Sequence, residues 1–180
     1  VSTNNPAGRE AAVLYDQEKS RRRALLADQQ GTDTLTQALT LAADQFVVQR
    51  GEGLRTIIAG YNWFTDWGRD TMIALPGITL ATGRFDDAKR IIQAFAASTS
   101  QGMLPNRFPD GGEEPEYNTV DATLWFFVAV YKYLQYSGDE EFVRHELVPI
   151  LEDIIAWHDR GTRYNIHTAE DGLLYAGESG

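Results

Sequence analysis

The chain has 180 residues, of which 43% are hydrophobic, 23% charged and 11% aromatic, with no cysteine and a formal net charge of −10. That composition is ordinary for a globular domain, and its acidic excess argues against sequence-independent nucleic-acid binding and against docking on an anionic membrane, both of which need a basic face. Without cysteine there is no disulfide or thiolate metal site, no apolar run approaches the roughly 20 residues of a bilayer span, and no basic-then-apolar leader opens the chain, so a cytoplasmic protein is expected.

Residues 1–32 read as a polar lead-in segment with a weak helical period from about Ala11 to Ala27, and the short basic run Arg21-Arg22-Arg23 has the pattern of a solvated face. From residue 33 the periodicity sharpens. Thr32 or Asp33 caps a helix running to about Gln49, with Gly51 as its stop, and Leu35, Ala38, Leu39, Ala42, Phe46 and Val47 form one apolar stripe. A second helix over about 70–82 is apolar nearly all round (Met72, Ile73, Leu75, Ile78, Leu80), is interrupted by Pro76 and ends at Gly83. A third, about 85–100, is striped (Phe85, Ala88, Ile91, Ile92, Phe95), with Asp86 and Asp87 in the first turn, where the helix dipole favours them. A fourth, about 119–136, is again apolar on most sides, and a fifth, about 139–159, is striped and interrupted by Pro149.

Striped and all-apolar helices thus alternate. A helix that is apolar all round is buried all round, so the alternation predicts an all-α architecture of outer and inner helices: an incomplete (α/α)6 toroid. Residues 33–180 are read as the N-terminal part of that domain, truncated at its C-terminal end, and the start at Val1 and the loop-like close at Gly180 read as cut ends of a longer protein. The rival, a helix-pair solenoid, lacks a fixed repeat. The links that lead into the all-apolar helices, 50–69 and 101–117, are long, and long loops on a rigid scaffold are where chemistry concentrates.

Three segments carry candidate chemistry. The first, Ala59 to Thr71, holds Trp63, Phe64, Asp66, Trp67, Arg69 and Asp70 within a dozen residues. Aromatic rings offer apolar faces to pyranose C–H groups, and carboxylate and guanidinium bind sugar hydroxyls through charge-assisted hydrogen bonds. Structural explanations compete: Asp70 as a helix cap, Arg69 as the partner of Asp66, the tryptophans as core. The second segment, Gly102 to Phe108, places Asn106 and Arg107 on a turn within reach of the same end of the ring. In the third, Glu116 to Trp125, Asn118 is a good N-cap and Asp121 stands three positions on, as in a capping box. The functional alternative sets that carboxyl at the mouth of the ring beside apolar walls. A carboxyl partly desolvated in such surroundings holds its proton to higher pH, which is what a general acid needs. His145, His158 and His167 have no metal-ligand spacing, and Gly111-Gly112 belongs to no phosphate-binding pattern.

Taken in order, GYNWFTDWGRDTM (60–72), GMLPNRF (102–108) and YNTVDATLW (117–125) resemble glycogen debranching enzymes of the amylo-α-1,6-glucosidase type, over roughly residues 33–160. The resemblance implies an (α/α)6 barrel that removes single α-1,6-linked glucose stubs from glycogen or a branched glucan by hydrolysis with inversion, without cofactor or metal. It implies Asp121 as general acid, Arg69 and Asp70 on the outer hydroxyls of the terminal glucose, and Trp63, Phe64, Asp66 and Trp67 shaping the same subsite. Inversion needs a second carboxylate roughly 6.5–9.5 Å away. The resemblance puts that carboxylate far downstream of the general acid, and Glu113, Glu114, Glu116, Glu170 and Glu178 sit in no matching motif, so the base is expected beyond Gly180 and is not assigned. The isolated chain is therefore expected to be inactive and, with part of its ring missing, to self-associate. The alternatives are another toroidal inverting glycosidase (trehalase- or glucoamylase-like), a non-catalytic glucan-binding piece, or a purely structural helical-repeat protein.

Overall fold

A computed structural model describes residues 8, 10–27, 33–50, 53–107 and 114–177. Thr32, Gly51, Phe108, the Gly111-Gly112 pair, Glu113 and Glu178, all singled out above, lie outside the described residues. The chain divides into two compact units, with the division between Gln45 and Phe46.

In the first unit, α1 (Ala11–Leu25) buries none of its residues. Helix α2 (Thr34–Asp44) starts where the sequence places its cap: Asp33 Oδ1 accepts from the N–H groups of Leu35 and Thr36 at 2.8 and 3.0 Å. Arg21 ties the two helices together, donating from Nη1 to Asp44 Oδ1 and from Nε to Glu18 Oε2, each at 2.8 Å. Hydrogen bonds from Arg21 and then Arg22 bring the Glu18 carboxyl down from 4.5 to about 2.

The second unit opens with an antiparallel meander of β1 (Val47–Arg50), β2 (Leu54–Gly60) and β3 (Phe64–Asp66), in which Val47 stands opposite Ile57 and Ile58 opposite Asp66. Then come α3 (Gly68–Ile78), a 3-10 turn (Leu80–Thr82), α4 (Phe85–Ala97) and α5 (Asp121–Ser137). A last helical run comprises α6 (Glu140–Phe142), a π-helical stretch (Val143–Leu147) and α7 (Val148–Arg160), followed by a hairpin of β4 (His167–Thr168) and β5 (Leu174–Tyr175). No helix among the described residues is long and apolar enough to cross a membrane.

These strands overturn the all-α toroid: the chain is mixed α/β, with two small antiparallel sheets among the described residues. The helix expected to run from residue 33 to 49 stops at Asp44. Phe46 and Val47 continue its stripe by spacing, but Val47 and Val48 are β-branched and pair with Ile57 and Thr56 of an equally β-branched segment. A run of four residues is too short for its period to distinguish strand from helix. The layering fails as well. In α5, Ala122, Phe126, Ala129 and Val130 are buried, but Leu124, Trp125, Val128 and Tyr131 are 38–57% exposed. The helix is apolar on a face that nothing among the described residues covers.

Elsewhere the helical pattern is realised. In α4, Ala88, Ile91, Ile92 and Phe95 lie at the i, i+3, i+4, i+7 spacing and are fully buried. They meet Met72 and Leu75 of α3, Phe126 of α5, Ile57 of β2, and Leu147 and Ile154 of the last helical run. Each such side chain contributes about 1.5–3 kcal/mol by leaving water. Pro76 is accommodated inside α3, and Thr79 Oγ1 donates to the Leu75 carbonyl at 2.7 Å as the helix ends. Pro149 has no N–H to give, and it stands in the first turn of α7 directly after the π-helical stretch that links α6 to α7.

Candidate functional site

The three sequence segments meet at the starts of α3 and α5, and the second unit holds all of them. The segment that joins them is the loop around residues 104–107. Its Asn106 carbonyl accepts the Gly68 N–H at 2.7 Å, and its Leu104 N–H donates to Thr123 Oγ1 in α5 at 2.8 Å. The approach to α3 is so close that a Cβ on Gly68 would stand 2.2 Å from the Pro105 carbonyl oxygen, so only glycine fits there. Extended backbone lies side by side around it: Trp67 bridges Arg107, and Arg107 bridges Glu116. The Arg107 guanidinium pairs with Glu116 Oε1 at 2.6 Å.

This scaffold brings Arg69 and Asp121 together. Arg69 lies in the first turn of α3 and Asp121 is the first residue of α5. Arg69 Nη1 donates to Asp121 Oδ2 at 3.1 Å, and both side chains remain partly open to solvent. Beside them Asp70 is exposed, and with Ala59, Phe64, Trp67 and Arg69 it lines one open depression. Phe64 meets Trp67 edge to face, with centroids 6.5 Å apart, leaving ring surface turned to solvent.

The other candidates stand apart from this pair. Asp66 is 3% exposed and bonded to Arg50, so its carboxylate is turned inward. Trp63 is 87% exposed in the turn between β2 and β3 and does not line the depression. Asn106 is 2% exposed. Its Oδ1 accepts the Arg69 N–H at 3.3 Å, and its Nδ2 donates to Asn118 Oδ1 at 3.0 Å.

Asn118 therefore does not cap α5. The residue before Asp121 is Val120, in αR conformation, and no side chain caps the helix. Thr123, Gly68 and Arg50 are supporting residues that sequence reasoning did not place, and Asn118 is one that it placed as a cap instead. A glycine in the first turn of an apolar helix was the available signal for Gly68, since such a residue marks close backbone approach. The other three are joined to partners 12 to 19 residues away, which no local pattern encodes.

Flanking the site, Tyr117 donates its hydroxyl to the Ser98 carbonyl at 2.7 Å, and the Arg163 guanidinium lies 4.1 Å from its ring centre. Burial pushes the Tyr117 hydroxyl up, with the Arg163 charge opposing. A cleft beside it is lined by Met103, Asn118, Thr119, Val120, Tyr164 and Ile166.

Residues 41–180 match the family model described as amylo-alpha-1,6-glucosidase. A glycogen debranching enzyme of Saccharomyces cerevisiae is 35% identical over 149 residues, an alignment covering 76% of this chain and 10% of that relative. The chain thus spans about a tenth of the length of the curated relative it matches.

Proposed function

The chain belongs to the amylo-alpha-1,6-glucosidase family, and from that premise we propose that it is the part of a glycogen debranching enzyme that supplies the general acid for hydrolysis of α-1,6-linked glucosyl stubs. Asp121 is that acid. It delivers its proton to the glycosidic oxygen as the bond to the anomeric carbon breaks. A water attacks from the opposite face and gives its proton to a second carboxylate, so that configuration inverts. That second carboxylate is not assigned to any residue of this chain.

Arg69 and Asp70 hold hydroxyls of the terminal glucose. Phe64 and Trp67 offer ring faces to it, and Trp63 and Arg107 contact the glucan farther out. Asp66 and Asn106 shape the subsite from within, through Arg50 and through Arg69 and Asn118. The observation that carries the reading is that two motifs 52 residues apart converge at neighbouring helix starts, where Arg69 contacts Asp121 at 3.1 Å; Asp121 there meets a guanidinium and solvent rather than the apolar walls expected from the sequence.

The test is glucose release from a dextrin bearing single α-1,6-glucosyl stubs, by the full-length enzyme with and without Asp121→Asn. Loss of a general acid costs about 10²–10⁴-fold in turnover with substrate binding kept. A variant that keeps its rate would move the catalytic assignment elsewhere and favour a non-catalytic glucan-binding role, for which the exposed Trp63 ring is the supporting observation. In the same assay the 180-residue chain alone releases no glucose; measurable release would show that it contains a complete acid–base pair.

A further inference from the structure

We propose that Asn118 is a positioning residue: acting through the buried Asn106, it fixes the first turn of α3, and with it Arg69, against Asp121. The inference rests on the reading of Arg69 and Asp121 given above. Its basis is a closed circuit of hydrogen bonds. Asp121 accepts from the Arg69 side chain at 3.1 Å, and the Arg69 main-chain N–H donates to Asn106 Oδ1 at 3.3 Å. Asn106 Nδ2 donates to Asn118 Oδ1 at 3.0 Å, and three residues of chain return from Asn118 to Asp121.

The amide orientations in this circuit follow from its chemistry. The Arg69 main-chain N–H can only donate, so Asn106 must present its oxygen there and its NH2 to Asn118. Asn118 must then offer its own oxygen. Asn106 is 2% exposed, so its amide depends on these two partners rather than on bulk water. Its backbone is held too, donating to the Glu116 carbonyl and accepting from the Gly68 N–H, each at 2.7 Å. Asn118 itself is exposed and caps no helix, so this single acceptor is what its side chain contributes among the described residues.

The experiment is a double-mutant cycle in the full-length enzyme on the stub-bearing dextrin. It combines Asn118→Leu, which removes the acceptor at similar size, with Arg69→Met. In the wild-type background Asn118→Leu lowers kcat/KM about 10–100-fold; in the Arg69→Met background it costs less than about threefold, because the residue it positions is gone. Asn118→Asp, which keeps an acceptor oxygen, regains most of the lost kcat. Equal losses in both backgrounds, or no regain with Asp, overturn the proposal, since a merely structural role is additive and insensitive to the acceptor. Should Asn118→Leu not accumulate as folded protein, Asn118→Ala carries the same cycle. Asp121→Asn is assayed alongside. If it keeps its rate, the catalytic reading itself fails; if it loses its rate while Asn118→Leu keeps wild-type kcat/KM, only the positioning role fails.

Discussion

At the scale of single residues, two glycines and one tyrosine set limits that can be measured. A methyl group on Gly68 would strike the Pro105 carbonyl oxygen at 2.2 Å, and that oxygen is backbone pinned on both sides, so it cannot give way. Gly68→Ala should destabilise the protein by about 2–3 kcal/mol, read from urea unfolding, through overpacking alone. A cost below about 0.5 kcal/mol would mean that the loop and α3 are not locked together. Gly102 faces a comparable limit for a different reason: its φ is +77° and a Cβ would meet Trp157 Cβ at 2.3 Å. Tyr133 is 2% exposed and donates to Asp139 Oδ2 at 3.1 Å. Burial first, and then that hydrogen bond, push its hydroxyl from 10.0 up to about 12. The folded state therefore holds the proton more tightly than the unfolded chain does. The stability this supplies is fully present below pH 10 and is lost as pH rises through about 12. An ultraviolet titration should show this tyrosine ionising near 12 in the folded protein, and Tyr133→Phe should flatten the alkaline loss of stability.

At the scale of elements, α5 has two faces that the sequence does not distinguish. Phe126 is fully buried, while Leu124, two residues earlier, is 46% exposed. Phe126→Ala should cost about 3–5 kcal/mol, the range for emptying an aromatic site in a packed core. Leu124→Ala should cost less than about 0.5 kcal/mol by the same unfolding measurement at concentrations where the chain is monomeric, because its atoms then meet water. Comparable losses at both positions in the monomer would mean that this face is covered within the chain itself. The helices themselves were readable because their apolar spacing is a local property: α4 matches its stripe, and α2 begins at the predicted Asp33 cap. The sheets were not readable, because Val47–Arg50 and Phe64–Asp66 are too short to show a period and become strands only by pairing with Leu54–Gly60.

At the scale of the whole molecule, Leu124, Trp125, Val128 and Tyr131 place a contiguous apolar strip on one helix face. A strip of that kind favours association, and we propose a second copy of the chain as its occupant when the chain is isolated. Light scattering should then give a mass above 20.1 kDa that rises with concentration. Val128→Lys with Tyr131→Glu should return it to a monomer. A monomer at all concentrations in the unmodified chain would remove the idea.

By itself the sequence determined most of the helical segments, the core face of α4, the acidic balance and three ordered motifs that point to one family, because periodicity, composition and short motifs are properties of neighbouring residues. Trp67, Arg69, Asp70 and Asp121 could be named as candidates for the same reason, from residue type and segment alone. Only the tertiary structure decided what each does with its side chain. It turned Asp66 onto Arg50, removed Asn118 from its expected cap and gave it to Asn106, and set Asp121 rather than Asp66 against the Arg69 guanidinium, 52 residues along the chain. The choice among several carboxylates for one arginine is made by distance in space, and helix starts that lie far apart in sequence meet only after the core beneath them has packed.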